Sequence, residues 1–206
     1  LSAEDPAVKQ LQTQARKAIN AADFKQAEQL LQQAVAVDDA AAEKSQKVYQ
    51  QRKRSAAASQ ALDGKSKHTR FALTAAIESY EKTIRFADDA KDEALLAEYR
   101  ASLASVFHDN AKLHKAIALY EQALQYYEQR GAESAKATLW NNLGLAWENL
   151  GEYRKAIDYF EKALASSIKT YSEKHPEVAI HWNNLGFAWD GLGEYHKAID
   201  YYEKAL

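Results

Sequence analysis

Residues 140–164 read WNNLGLAWENLGEYRKAIDYFEKAL, and residues 182–206 read WNNLGFAWDGLGEYHKAIDYYEKAL. The two copies, starting at Trp140 and Trp182, differ at five of 25 positions: Leu145/Phe187, Glu148/Asp190, Asn149/Gly191, Arg154/His196 and Phe160/Tyr202. Near-identity at a fixed spacing means a repeat array, in which each unit buries its apolar face against a neighbour. Within a copy, Trp140, Leu143 and Trp147 fall at i, i+3 and i+7 and share one helix face. After a break at Gly151-Glu152, the residues Tyr153, Ala156, Ile157, Phe160, Ala163 and Leu164 form the apolar stripe of a second helix. Each unit is therefore expected to be a helical hairpin, and the small residues Gly144 and Ala156 imply that its two helices approach closely.

The order Trp-x2-Leu-Gly-x2-aromatic, followed by Ala-x3-aromatic, resembles the tetratricopeptide repeat, with Trp147 and Trp189 in the place usually held by Tyr. The connecting segment ALASSIKTYSEKHPEVAIHW makes the unit longer than the ordinary tetratricopeptide repeat and carries His175-Pro176-Glu177-Val178 just before a helix, which is similar to the kinesin-light-chain variety. Pro176 suits a first helical turn, where its missing N–H costs nothing, and Glu177 suits the positive end of the helix dipole. Ser172 stands near the place where that family usually has a glycine before His-Pro.

Upstream the same skeleton continues in phase: Leu103, Ala104, Phe107, Ala116, Tyr120 and Ala123 match Leu143, Gly144, Trp147, Ala156, Phe160 and Ala163 at one constant offset. Earlier still, Ala76, Ile77, Tyr80 and Ile84 repeat the second-helix stripe. The segment AAAEKSQKVYQQRKRSAAASQAL contains neither Gly nor Pro and reads as one long helix ending near Asp63-Gly64, with GKSKHTR as a loop after it. Leu11, Ala15, Ala18, Phe24, Ala27, Leu31 and Ala34 give a weaker N-terminal hairpin whose second helix Asp23 caps. The expectation is an all-α, right-handed α-solenoid of about five hairpins and ten helices. Residues 1–92 form divergent hairpins with a long helix, and residues 93–206 a well-matched array with hairpins near 93–130, 133–171 and 176–206, in one continuous solenoid.

Several chemistries lack the residues they need. There is no cysteine, hence no disulfide framework and no thiolate metal site. The six histidines, His68, His108, His114, His175, His181 and His196, form no metal-like pair on a helix face, and no phosphate-cradling loop or nucleophile elbow is present. The reading is non-enzymatic, without cofactor or metal. A net charge of −2 gives no bulk attraction to nucleic acid or anionic membrane. The basic cluster Arg52, Lys53, Arg54, Lys65, Lys67, His68 and Arg70 has no interleaved aromatics to stack on bases and reads as solvated surface. No apolar run reaches bilayer-spanning length, and the first residues lack a signal-peptide layout. With no methionine anywhere, the sequence reads as a piece of a longer protein, expected to be intracellular and cytoplasmic.

What remains is a surface. In stacked hairpins the inner wall comes largely from the first helix of each unit, so candidate binding residues are first-helix positions outside the packing stripe. These are Asn141, Asn142, Leu145, Glu148 and Asn149 in one unit and Asn183, Asn184, Phe187, Asp190 and Gly191 in the next, with Ala101, Ser102, Ser105, His108 and Asp109 in the unit before. Helix packing does not call for paired asparagines, which are mediocre helix formers, whereas an amide offers donor and acceptor together. The kinesin-light-chain resemblance implies an asparagine ladder gripping the main chain of an extended peptide, a role that falls to Asn142 and Asn184, with Asn141 and Asn183 beside them, and that fails at Ser102. Leu145 and Phe187 offer apolar contacts, and Glu148 and Asp190 favour a basic ligand residue. Wall positions here are Asn, Glu, Asp, Ser and His, which does not fit the carboxylate clamp of TPR co-chaperones. The expected partner is a protein or peptide. The alternative is an architectural role: packing against an effector domain of the same polypeptide, or self-association through the face of the last helix, where Tyr202 and Leu206 lack the cover that Phe160 and Leu164 receive.

Overall fold

The structure, a computed structural model, describes residues 6–21 and 23–206; the side chains of Phe24 and Asp38 lie outside that description, including the expected packing of Phe24. Nine helices occur among the described residues: α1 (Pro6–Asn20), α2 (Phe24–Thr69), α3 (Leu73–Asp89), α4 (Glu93–Asp109), α5 (Leu113–Glu128), α6 (Glu133–Asn149), α7 (Tyr153–Thr170), α8 (Pro176–Gly191) and α9 (Tyr195–Lys204). The expected ten become nine because α2 runs unbroken for 46 residues, joining the second helix of the first hairpin to the long helix that follows. The segment GKSKHTR is not a loop: α2 continues through Gly64 to Thr69.

The chain divides into two compact units, residues 1–52 and 53–206. In the first, Val8, Ala15 and Ala18 of α1 and Ala27 and Ala34 of α2 are buried, whereas Leu31 is exposed. Asp23 caps α2 by accepting a hydrogen bond from the Gln26 N–H at 3.0 Å. In the second unit the C-terminal part of α2 with α3, then α4 with α5, α6 with α7 and α8 with α9, form the successive hairpins of an α-solenoid.

One packing device recurs along that unit. A small first-helix residue receives an aromatic ring from the second helix. Cβ atoms added at Gly144 and Gly186 would run into the rings of Phe160 and Tyr202, and one at Gly64 would stand 3.0 Å from the Tyr80 ring. Ala104 and Tyr120 hold the same places in the hairpin between and are both buried. Gly64 precedes Ala104 by the same step that separates Ala104 from Gly144, so its helical state follows from the period. The roughly 1 kcal/mol that glycine costs in a helix interior is offset by burial of the ring. Trp140, Trp147, Trp182 and Trp189 are partly buried against the apolar clusters. Lys155 sits 4.2 Å from the Trp147 ring centre and Lys197 4.1 Å from that of Trp189, a contact repeated one unit apart.

The turns inside the hairpins also repeat. Phe71, Ala111, Gly151 and Gly193 have φ of 55°, 54°, 78° and 78°. The next residue's N–H reaches back to close each helix: Ala72 to the Lys67 carbonyl, Lys112 to Phe107, Glu152 to Trp147 and Glu194 to Trp189. Between the last two hairpins, His175 caps α8 by accepting the Glu177 N–H at 3.2 Å, with Pro176 in the first turn. The His175 ring stacks on Tyr171 at 4.2 Å within the longer loop.

Candidate functional site

The first helices of unit two lie side by side, and hydrogen bonds cross from each to the next on a diagonal. His68 Nε2 at the end of α2 meets Asp109 Oδ2 of α4 at 2.7 Å. His108, which occupies the His68 position one unit on, receives the Asn149 amide of α6 on Nε2 at 2.9 Å. Each rung thus joins one position of a unit to the following position of the next unit. Accepting at Nε2 leaves the His108 proton on Nδ1, which lies 3.3 Å from Asp109 Oδ1. Burial would raise the Asp109 pKa, but the hydrogen bonds from His68 and His108 outweigh it and hold the carboxyl below its usual range.

The paired asparagines follow the same diagonal. Asn184 Nδ2 of α8 donates to Asn141 Oδ1 of α6 at 2.8 Å. The same oxygen lies 3.2 Å from His181 Nδ1, and His181 Nε2 lies 2.9 Å from Ser167 Oγ of α7. His181 is 2% exposed and occupies the core slot that Leu139 holds in the preceding unit. A self-consistent network has Nδ1–H donating to Asn141 and Ser167 donating to Nε2, with the imidazole neutral; burial pushes its pKa below the ordinary value.

Two partly buried groups on the face are left over, and the diagonal explains both. Asn142 would pair with position 101, but that residue is Ala101. Its amide makes no hydrogen bond among the described residues, and it borders a recess of about 240 Å³ with Ser105, His108, Asp109, Tyr120 and Leu145. Glu148 would pair with position 191, which is Gly191. Its carboxylate likewise has no hydrogen-bonded partner among the described residues, and burial pushes its pKa up to about 7.

The remaining expected site residues fall into place around these. Ser105 Oγ lies 3.0 Å from the Tyr120 hydroxyl. Leu145 packs partly into the apolar cluster of α7 and α8, while Phe187, its counterpart in the next unit, is 54% exposed. Asn183 and Asp190 are exposed. Asn141, Asn149 and His108 are held in inter-helix bonds, so the structure brings together a continuous polar face rather than a row of equivalent free amides. The sequence reading missed the rung formed by His68 and Asp109 and the internal role of His181. The equal steps from His68 to His108 and from His108 to Glu148 would have shown the first. Three residues of the basic cluster make ion pairs at the surface: Lys53 with Asp89 at 2.6 Å, Arg54 with Asp92 at 2.7 Å and Lys67 with Asp63 at 2.7 Å.

Residues 136–206 match the family model described as tetratricopeptide repeat. Among solved structures, the chain is similar to BtubC (BKLC) from P. vanneervenii, with TM-score 0.68, 17% identity, and coverage of 100% of this chain and 90% of that one. It is also similar to kinesin-light-chain-type, nearly identical TPR-like repeats from Podosopora anserina, with TM-score 0.65, 20% identity, and coverage of 98% of this chain and 95% of the other. At these identities the likeness shows the fold. No helix among the described residues is long and apolar enough to cross a membrane.

Proposed function

We propose, from the premise that the chain is a tetratricopeptide-repeat protein with kinesin-light-chain-like units, that the face formed by α4, α6 and α8 binds an extended peptide segment of a protein partner. The fold is that of a protein–protein interaction module, and the reading is of a non-catalytic one. The observation that carries it is Asn142: a partly buried side-chain amide with donor and acceptor both available, beside a recess, on a face where Asn141, Asn149 and Asn184 are already bonded to neighbouring helices. An extended segment presents main-chain N–H and C=O groups that such an amide can take in pairs whatever the side chains are. Asn184 contributes its Oδ1, since only its Nδ2 is used by Asn141. Asn183 and Phe187 extend the face on α8.

The test uses the whole chain and peptides selected on it from a random dodecapeptide display library. Asn142→Ala should weaken a selected peptide by roughly fivefold or more, the worth of a typical hydrogen bond, with circular dichroism unchanged. Asn184→Ala should do the same and also loosen the contact to Asn141. Unchanged affinity in both variants would reject the reading.

A second reading has its own observation. Ile157, Phe160 and Leu164 of α7 are buried, whereas their counterparts Ile199, Tyr202 and Leu206 are exposed. That face supports an architectural role, in which α9 packs against an effector domain of the same polypeptide or against a second copy. Light scattering over a concentration series, on the chain and on Ile199→Lys, separates self-association from a monomer.

A further inference from the structure

We propose that Glu148 is the residue that sets the groove's preference, taking the ammonium or guanidinium group of a lysine or arginine side chain in the bound peptide. The proposal rests on the peptide-binding reading above and names the ligand chemistry at one point of that face. Its basis is the interrupted diagonal. At two successive steps the rung is complete, His68 to Asp109 and His108 to Asn149. At the third step the acceptor is present and the partner is missing, because Gly191 has no side chain to offer. That absence is built into the packing: a Cβ at position 191 would collide with the Tyr153 ring of α7. Residue 191 therefore cannot complete the rung, and a group from outside the chain is needed to do so.

The surroundings say what kind of group. Within the packed elements, α4 brings His108 and Asp109, which are engaged with each other and with His68 and Asn149. Tyr120 of α5 is bonded to Ser105. From α7 come Tyr153, whose ring fills the space at Gly191, and Lys155, which lies over the Trp147 ring and 3.4 Å from Glu152. Asp190 of α8 and Tyr202 of α9 complete the set; both Asp190 and Glu148 act on Tyr202 to raise its pKa, after burial as the larger cause. Where the nearby histidine and lysine are already occupied and the additional charge is acidic, an incoming cation gains from Glu148 and Asp190 together, and an incoming carboxylate is repelled.

A half-buried carboxyl that titrates near neutrality adds a signature. The free protein holds Glu148 partly protonated at pH 7, with its pKa raised to about 7 by burial. A bound cation favours the ionised form, so binding releases a proton and tightens as pH rises through neutrality.

Panning a random dodecapeptide library on the whole chain and on Glu148→Gln tests this. Wild type should enrich lysine or arginine at one position, and a selected peptide should bind about tenfold or more tightly than its Lys→Gln analogue, a difference that shrinks to under twofold in Glu148→Gln. Calorimetry between pH 5.5 and 8 should show affinity for the lysine peptide rising with pH in wild type and flat in the variant. If no peptide is captured at all, the peptide-binding reading fails, and this inference with it. Peptides captured without a basic preference, or with the same preference in both proteins, would overturn this inference alone.

Discussion

His181 and Glu148 sit on neighbouring first helices and make opposite contributions to the pH dependence of stability. Burial lowers the His181 pKa from 6.5, so the unfolded chain binds the proton more readily and stability drains away as pH falls below about 6.5. Replacing His181 with Gln should cost stability at pH 8, through lost bonds to Asn141 and Ser167, yet leave a shallower decline toward pH 5 in thermal melts. Burial raises the Glu148 pKa from 4.5 to about 7, so the folded chain holds its proton more tightly, and the stability this confers is lost as pH rises through 7. Glu148→Gln should therefore raise the melting temperature at pH 8 and change it little at pH 4.5. A carboxyl that lowers stability at neutral pH, in a place where glutamine would fit, is what a binding role predicts.

At the level of helices and turns, the period carries most of the information. The second-helix stripes, the break at Gly151-Glu152, the cap at Asp23 and the first-turn place of Pro176 are all legible in the sequence. The long α2 is legible only in part, because glycine's low helix propensity hides its packing role. Gly64 looked like a helix end, whereas its position one unit before Ala104 makes it the small residue under Tyr80. The inter-helix rungs could not be read unit by unit, since a diagonal partner shows only when neighbouring copies are aligned with a shift of one position. Two expectations belong here. Ala111 occupies the left-handed turn position with φ 54°, where Gly151 and Gly193 stand in later units, so Ala111→Gly should stabilise the chain by about 1 kcal/mol, and Gly151→Ala should destabilise it similarly, in denaturant titrations. Phe160, fully buried over Gly144, should cost about 3 to 5 kcal/mol when replaced by Ala.

Across the whole molecule, stability in a repeat protein is close to a sum over hairpins and their interfaces, so it need not be uniform. Among the described residues, the buried ones of the first unit are Val8 and alanines, while those of the second include Leu143, Phe160 and Leu185. Less apolar area buried means less local stability, and amide hydrogen exchange in α1 should outpace exchange in α4 to α7. Where a partner binds is read most directly from an NMR titration of the isotope-labelled chain with a library-selected peptide, following the side-chain amides of Asn142, Asn184 and Asn149 together with the backbone of α4, α6, α8 and α9. The largest shifts should fall at Asn142, Asn184 and Glu148 along the first-helix face. Shifts confined to Ile199 and Tyr202 on α9 and to Leu206 just beyond it, with Asn142 unmoved, would contradict peptide binding on that face.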